Sequence, residues 1–455
     1  MKDLLCDISA FRYWRLPPQV RALCPPLPRP EEDRQRYDLA RNPTAAVALG
    51  FPLYTLVQTK NKRTCPASIR QRLFLGELPR ESVLETEHGF LITSPLLTAF
   101  IMSRHLTDLQ LLLVLAEMCG LFAVCALPAL LETELSRAID SGAISTTFGW
   151  ARCPSEDGTA SNLWRRDALV LGGDLDRFCS DVCGMRYGNR FMAVSQLVPL
   201  GAASPFEVEA YLLLALPRSL GGEGFCGIEL NVEVMLNTNA RAIVGKSRVY
   251  IDLLLSSPDG RRQVAIECQG KASHGRAGDG LRDADRMTAL QAMGYDVLLL
   301  THRQISDEGR FRAIVKTVCR MLDAEYRDKS SDEQRAEALL RSELFVDWTK
   351  LGVIDGKMPA RHKMARSWTA GDQAVLKQVI YLRLYKAIWM ACSASSKKST
   401  HLVFDEKPMP KAVLFQVVNK FVRHEKGPNQ YGPGLIKLEV MSQAVGLAKV
   451  ALEQA

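Results

Sequence analysis

The chain has 455 residues, 47% hydrophobic and 24% charged, the make-up of an ordinary globular protein long enough for two or three domains with their own cores. Its formal net charge of +8 favours an anionic partner such as nucleic acid. Twelve cysteines lie scattered without CxxC pairs, and Cys179 and Cys183 have no second pair or histidine cluster to match them, which argues against a zinc ribbon. All twelve are expected to be free thiols in a cytoplasmic protein. The amino-terminal MKDLLCDISAFRYW has no long apolar stretch, so no signal peptide is expected.

Residues 1–40 are rich in Pro and Arg and predict an extended arm. Residues 41–131 read as an α+β region. A short helix over 44–50 ends in Gly, and 53–57 and 68–74 are strand-like, joined through the basic Lys60, Lys62 and Arg63. A strand over 90–93 runs into a helix start, with Ser94 as N-cap and Pro95 at the first helical position. The run LQLLLVLAEMCGLFAVCALPALL over 109–131 resembles a membrane span in hydropathy. It is interrupted by Gln110, Glu117 and Pro128 and lacks flanking aromatic and basic belts, so it predicts one or two buried helices instead. Residues 132–203 read as a mostly helical basic connector, with helices over 160–164 and 174–185. Its arginines Arg152, Arg165, Arg166, Arg177, Arg186 and Arg190 suit a solvated face or phosphate contacts.

Residues 204–328 form the most legible stretch. Ser204-Pro205-Phe206-Glu207 has the chemistry of a helix N-terminus, a capping box that by itself needs no catalysis. A half-exposed strand over 228–236 and a turn at 237–239 predict a hairpin into 240–244. Residues 249–255 are an apolar strand with Asp252 inside it, and 264–268 are the next, carrying Glu267, after turn chemistry at Ser257-Pro258-Asp259-Gly260. Regular alternation sets Tyr250, Asp252 and Leu254 on one face, and likewise Ala265, Glu267 and Gln269. Two acids in adjacent apolar strands need compensation, by a divalent metal or by a buried Arg or Lys. A helix over 281–293 carries Asp283, Arg286, Leu290 and Met293 on one stripe, and 296–301 is a further strand. Asp283 and Arg286 also suit a plain surface pair. Residues 329–455 predict a helical accessory module, with basic residues Lys357, Arg361, His362, Lys363 and Arg366 beside Trp368.

Asp252, a turn, then Glu267-Cys268-Gln269-Gly270 resembles the D…(D/E)-x-K core of the PD-(D/E)XK nuclease superfamily. Gly270, His274, Asp283, Arg286, Leu290, Gly294, Tyr295, Val297, Thr301 and Arg303 continue the likeness to the branch related to very-short-patch-repair endonucleases. The resemblance implies a restriction-endonuclease-like α/β fold, a mixed sheet flanked by helices. It implies that Asp252 and Glu267, with Glu207, hold Mg2+ or Mn2+ for hydrolysis of DNA phosphodiester bonds. Gln269 stands where the family has its Lys; Lys271 and His274 are candidates to replace it, and Asp283 and Arg286 are auxiliary. Upstream, Thr93-Ser94-Pro95 is similar to the linker domain of AbiE-type antitoxin regulators, with Leu97 and Ile101 in place of that family's Arg and Asp.

Two functions follow as expectations. One is a metal-dependent endonuclease; the other is a non-catalytic nucleic-acid-binding or antitoxin-like regulatory protein on the same fold, with a protein partner or homodimer compatible with either. A purely structural scaffold is a third. Catalysis requires both carboxylates within reach of one metal and open to solvent, whereas the binding reading expects an arginine capping one of them.

Overall fold

Leu4 and Leu5, an apolar pair near the start of the chain, form the middle strand of a sheet. The computed structural model describes residues 4–23, 46, 48–59, 68–144, 150–154, 160–269 and 279–352. All of them belong to the unit Met1–Leu376, and the helices expected beyond 352 lie outside the described residues. The fold is α/β, with three sheets among the described residues.

The first sheet has the order β3-β2-β1-β5-β4, from β1 (Leu4–Leu5), β2 (Leu53–Val57), β3 (Ile69–Leu73), β4 (Val83–Glu85) and β5 (Leu91–Thr93). It is mixed, since β1 runs antiparallel to β2 and parallel to β5. Helices α1 (Asp7–Arg15) and α2 (Pro18–Leu23) follow β1. The extended arm expected over 1–40 is therefore corrected for residues 4–23. Leu5, Ala10, Phe11 and Tyr13 are buried, and Pro18 occupies the first position of α2, where its missing N–H costs nothing.

Ser94 caps α3 (Pro95–Met102), accepting from the Leu97 N–H, as the sequence predicts. The apolar run over 109–131 divides into the buried helix α4 (Asp108–Cys119), strand β6 (Phe122–Val124) and the start of α5 (Ala129–Asp140). No helix among the described residues is long and apolar enough to cross a membrane. Strands β7 (Ala151–Pro154) and β8 (Ala160–Arg165) join β6 in an antiparallel sheet, order β6-β8-β7. The helix expected over 160–164 is thus a strand. So short a run takes its structure from its partners, and here Trp164 pairs with Ala123 and is buried.

Helices α6 (Gly172–Asp181) and α7 (Gly188–Ser195) complete the connector. Three of its arginines turn inward rather than to solvent or phosphate. Arg166 donates to the Glu117 and Gly120 carbonyls, Arg190 to Asp108 and the Leu106 carbonyl, and Arg152 to Glu132. They satisfy carbonyls at the end of α4 and the buried Asp108, and pair with the partly exposed Glu132.

The third sheet carries the acids. It runs β12-β11-β10-β9, from β9 (Ile228–Met235), β10 (Arg248–Ser256), β11 (Gln263–Gln269) and β12 (Asp296–Thr301). β9, β10 and β11 are antiparallel, and β12 is parallel to β11. Helix α8 (Pro205–Ala215) contributes Val208 and Leu212 to the cluster that holds Leu253, Ile266 and Leu300. Helices α9 (Thr238–Val244) and α10 (Asp279–Ala292) supply Ala240, Ala289 and Leu290 to the cluster with Ile251 and Ala265. The hairpin expected through 237–244 is corrected: Asn237 caps α9, accepting from the Ala240 N–H, and Gly245 ends it with φ +69°. α11 (His302–Ser306), α12 (Glu308–Met321) and α13 (Ser331–Leu344) follow. One apolar cluster gathers Phe100, Leu113, Phe178, Leu212, Ile266 and Leu344, so the segments that the sequence separates share a core.

Candidate active site

Asp252 lies where β10 stops being regular. Asn231, its opposite number on β9, has φ +50°, a left-handed conformation that Asn tolerates better than most residues. Ile251 and Leu254 pack in one apolar cluster while Leu253 packs in the other, although strict alternation would pair 251 with 253. The expected common face of Tyr250, Asp252 and Leu254 is therefore broken at Asp252. The acid sits at a twist, half-buried, rather than within a flat strand.

Its two oxygens have different partners. Oδ2 accepts from the backbone N–H of Cys268 at 2.8 Å, and Oδ1 lies 3.2 Å from Arg286 Nη2. The same Nη2 contacts Glu267 Oε2 and donates to the Tyr250 carbonyl at 2.6 Å. A guanidinium NH2 has two hydrogens, so these three acceptors share them. Arg286 from α10 thus joins two carboxylates from neighbouring strands. Its side chain is 31% exposed, while that of Glu267 is only 7% exposed.

Glu207 stands in the first turn of α8. Ser204 Oγ accepts from the Glu207 N–H at 3.2 Å and donates to its Oε1 at 2.9 Å. Oε2 accepts from the Ala203 N–H at 2.7 Å and from Asn231 Nδ2 at 2.9 Å. The local capping role is real, and the carboxyl also belongs to the cluster electrically. Burial and then the nearby Asp252 push it up to about 7, against the donors that favour its charge. Cys268, between the acids in sequence, is pushed well above the usual thiol range by burial first and by Asp252, Glu207 and Glu267 next, so it stays a protonated thiol.

The other expected residues divide in two. Gln269 ends β11 in register with Thr301. Lys271 and His274 lie outside the described residues; Asp283 lies within α10, but its side chain is outside what is described. Asn231 is the residue that pattern reading misses. Its amide ties Glu207 to the Gly201 carbonyl, at 2.9 and 2.8 Å, and only the tolerance of Asn for positive φ marks it in the sequence.

A second buried acid lies two residues along α8. Glu209 accepts from Trp348 Nε1 at 3.1 Å, stands 3.7 Å from His302 Nε2, and is pushed up to about 7 by burial. The cysteines among the described residues are free.

Among the described residues no group of three or more His, Cys, Asp or Glu is placed to hold a metal ion. Magnesium nonetheless needs only one or two carboxylates, completed by waters and substrate phosphate. Asp252 and Glu267 lie within reach of one cation, since one nitrogen touches both, but the Glu267 side chain is only 7% exposed, short of the openness to solvent that catalysis requires. In this structure a guanidinium takes the cation position. Comparison with known family models, with curated proteins and with solved structures finds no match for this chain.

Proposed function

We propose that residues 204–328 are the core of a metal-dependent nuclease of the PD-(D/E)XK class, acting on DNA phosphodiester bonds. Asp252 and Glu267 are the residues that would hold Mg2+ or Mn2+, with Glu207 as the third acid of the cluster. An ion bound there supplies a polarised phosphoryl oxygen and a more acidic attacking water. The observation that carries this reading is the shared cation position, where Arg286 Nη2 reaches Asp252 and Glu267 from different strands. The neighbouring order of β10, β11 and β12 with α8 and α10 packed on them, as the resemblance implies, supports it further. Gln269 can orient a water at the position of the usual Lys but brings no charge.

The test is cleavage of plasmid and of labelled single- and double-stranded oligonucleotides with Mg2+ or Mn2+ against EDTA. Metal-dependent nicking that disappears in Asp252→Asn and Glu267→Gln is the expected result. Wild-type protein that leaves every substrate intact with either metal overturns the reading.

A second reading is favoured by Arg286 itself. A guanidinium that already caps the acid pair is the arrangement expected of the binding reading, and with Gln269 in place of Lys it suits a nucleic-acid-binding or antitoxin-like regulatory protein on the same fold. Tight DNA binding that is indifferent to metal, without cleavage, is its signature in the same assay.

A further inference from the structure

Arg286 and a metal ion cannot both occupy the space between Asp252 and Glu267. Its Nη2 already touches both carboxylates and the Tyr250 carbonyl. For an ion to enter, the guanidinium must leave, and the side chain has room to do so because about a third of it is open to solvent. Leaving is unfavourable unless the guanidinium gains another anion of suitable shape. A phosphodiester offers one, since the fork of a guanidinium matches two phosphate oxygens.

We infer that Arg286 is a resident cation that holds the acid pair shut and turns to a backbone phosphate when metal and nucleic acid bind together. This rests on the metal-dependent reading above and assigns Arg286 a positioning and phosphate-contact role in it. Two consequences follow from charge alone. Metal binds weakly to the free protein, because it must displace a cation already in place. Metal and nucleic acid raise each other's affinity by the same factor, because each removes part of the other's cost. Arg286 is what couples them.

The experiment measures Mn2+ binding, by the paramagnetic signal of the free ion, to the full chain with and without a phosphorothioate oligonucleotide that resists cleavage. Wild type, Arg286→Gln and Arg286→Ala are compared, and folding of each is checked by near-UV circular dichroism. The wild type is expected to bind Mn2+ at least about 10-fold more tightly with the oligonucleotide than without it. Arg286→Gln and Arg286→Ala are expected to bind Mn2+ about 10-fold more tightly than the wild type in its absence, and to lose most of the coupling.

Equal Mn2+ affinity of wild type and variants without nucleic acid overturns the inference and leaves the metal site standing. So does coupling that survives in the variants. If no form binds Mn2+ under either condition, the metal-dependent reading falls and takes this one with it. Should both variants fail to fold, the wild type decides alone, because absence of coupling in it is sufficient to reject the role.

Discussion

The side-chain amide of Asn231 donates to Glu207 Oε2 at 2.9 Å, so the edge strand of the third sheet holds the third acid of the cluster. Two separate costs meet at this residue, a hydrogen bond and a backbone with φ +50°. Asn231→Gly removes the amide but suits the backbone, and is expected to cost about 1–2 kcal/mol. Asn231→Ala is expected to cost roughly 1 kcal/mol more, since a Cβ is unfavourable in the left-handed region. Urea unfolding of both variants checks this. Equal midpoints would show that the left-handed conformation is not retained at this position.

Stability should fall as pH rises through neutrality. Burial raises the Glu209 carboxyl from 4.5 to about 7, with the Trp348 N–H pulling the other way. Between those values the folded protein holds a proton that the unfolded chain has released. The contribution is therefore fully present below about 4.5 and lost as pH rises through about 7, on the order of 3 kcal/mol. Glu207, also raised to about 7, adds in the same direction. Glu209→Gln still accepts from Trp348 and is expected to flatten the profile of urea midpoint between pH 5 and pH 8. A variant that follows the wild-type slope throughout would count against the raised carboxyl.

The bridge between Arg286 and the acid pair should be asymmetric. Arg286 is 31% exposed and can turn to water when Glu267 is removed, whereas Glu267 is 7% exposed and loses a cation contact in a buried position when Arg286 is removed. Without divalent ions, Arg286→Gln is expected to lower stability by about 2–3 kcal/mol and Glu267→Gln by less than half of that. The double variant should recover part of the loss, the mark of direct coupling. Thermal melts of the three proteins in EDTA measure it, and additive losses would argue against a bridge.

A buried ion pair joins the amino-terminal helix to the core. Arg15 Nε lies 2.7 Å from Glu117 Oε1, with the two side chains only 8% and 1% exposed. Glu117 Oε1 also accepts from the Val124 N–H at 2.9 Å. Arg15→Met leaves that carboxylate buried without its cation and is expected to cost about 3–5 kcal/mol. Glu117→Gln, which keeps an acceptor for Val124, should cost less. Chemical denaturation compares the two, and the reverse order would mean that solvent reaches Glu117.

The acid-bearing strands were legible because β10, β11 and β12 are apolar runs bounded by turn residues, and because α8 opens with Ser204 and Pro205. Other elements were hidden for identifiable reasons. Prolines and arginines are frequent in residues 1–40, yet Leu4, Leu5, Phe11 and Tyr13 decide the structure of the first part by burial. Residues 160–165 are too short to show a period, and the pairing of Trp164 with Ala123 settles them. At 237–244 the cap at Asn237 outweighed the β-forming Ile243 and Val244. The bridge made by Arg286 could not be read from spacing, because its partners lie 34 and 19 positions away on two different strands.

Synthesis order gives the contact between Arg15 and Trp348 a further meaning. Arg15 Nη2 donates to the Trp348 carbonyl at 2.5 Å, across 333 positions of chain. At the usual bacterial or eukaryotic pace of about 5–20 residues per second, those 333 positions take roughly 17–70 s to emerge from the ribosome. Glu117, 102 positions on, emerges within that interval, and from then until Trp348 follows the helix has its acid but lacks the last acceptor for its guanidinium. A segment made early relative to the rest of this unit is thus completed only when Trp348 arrives.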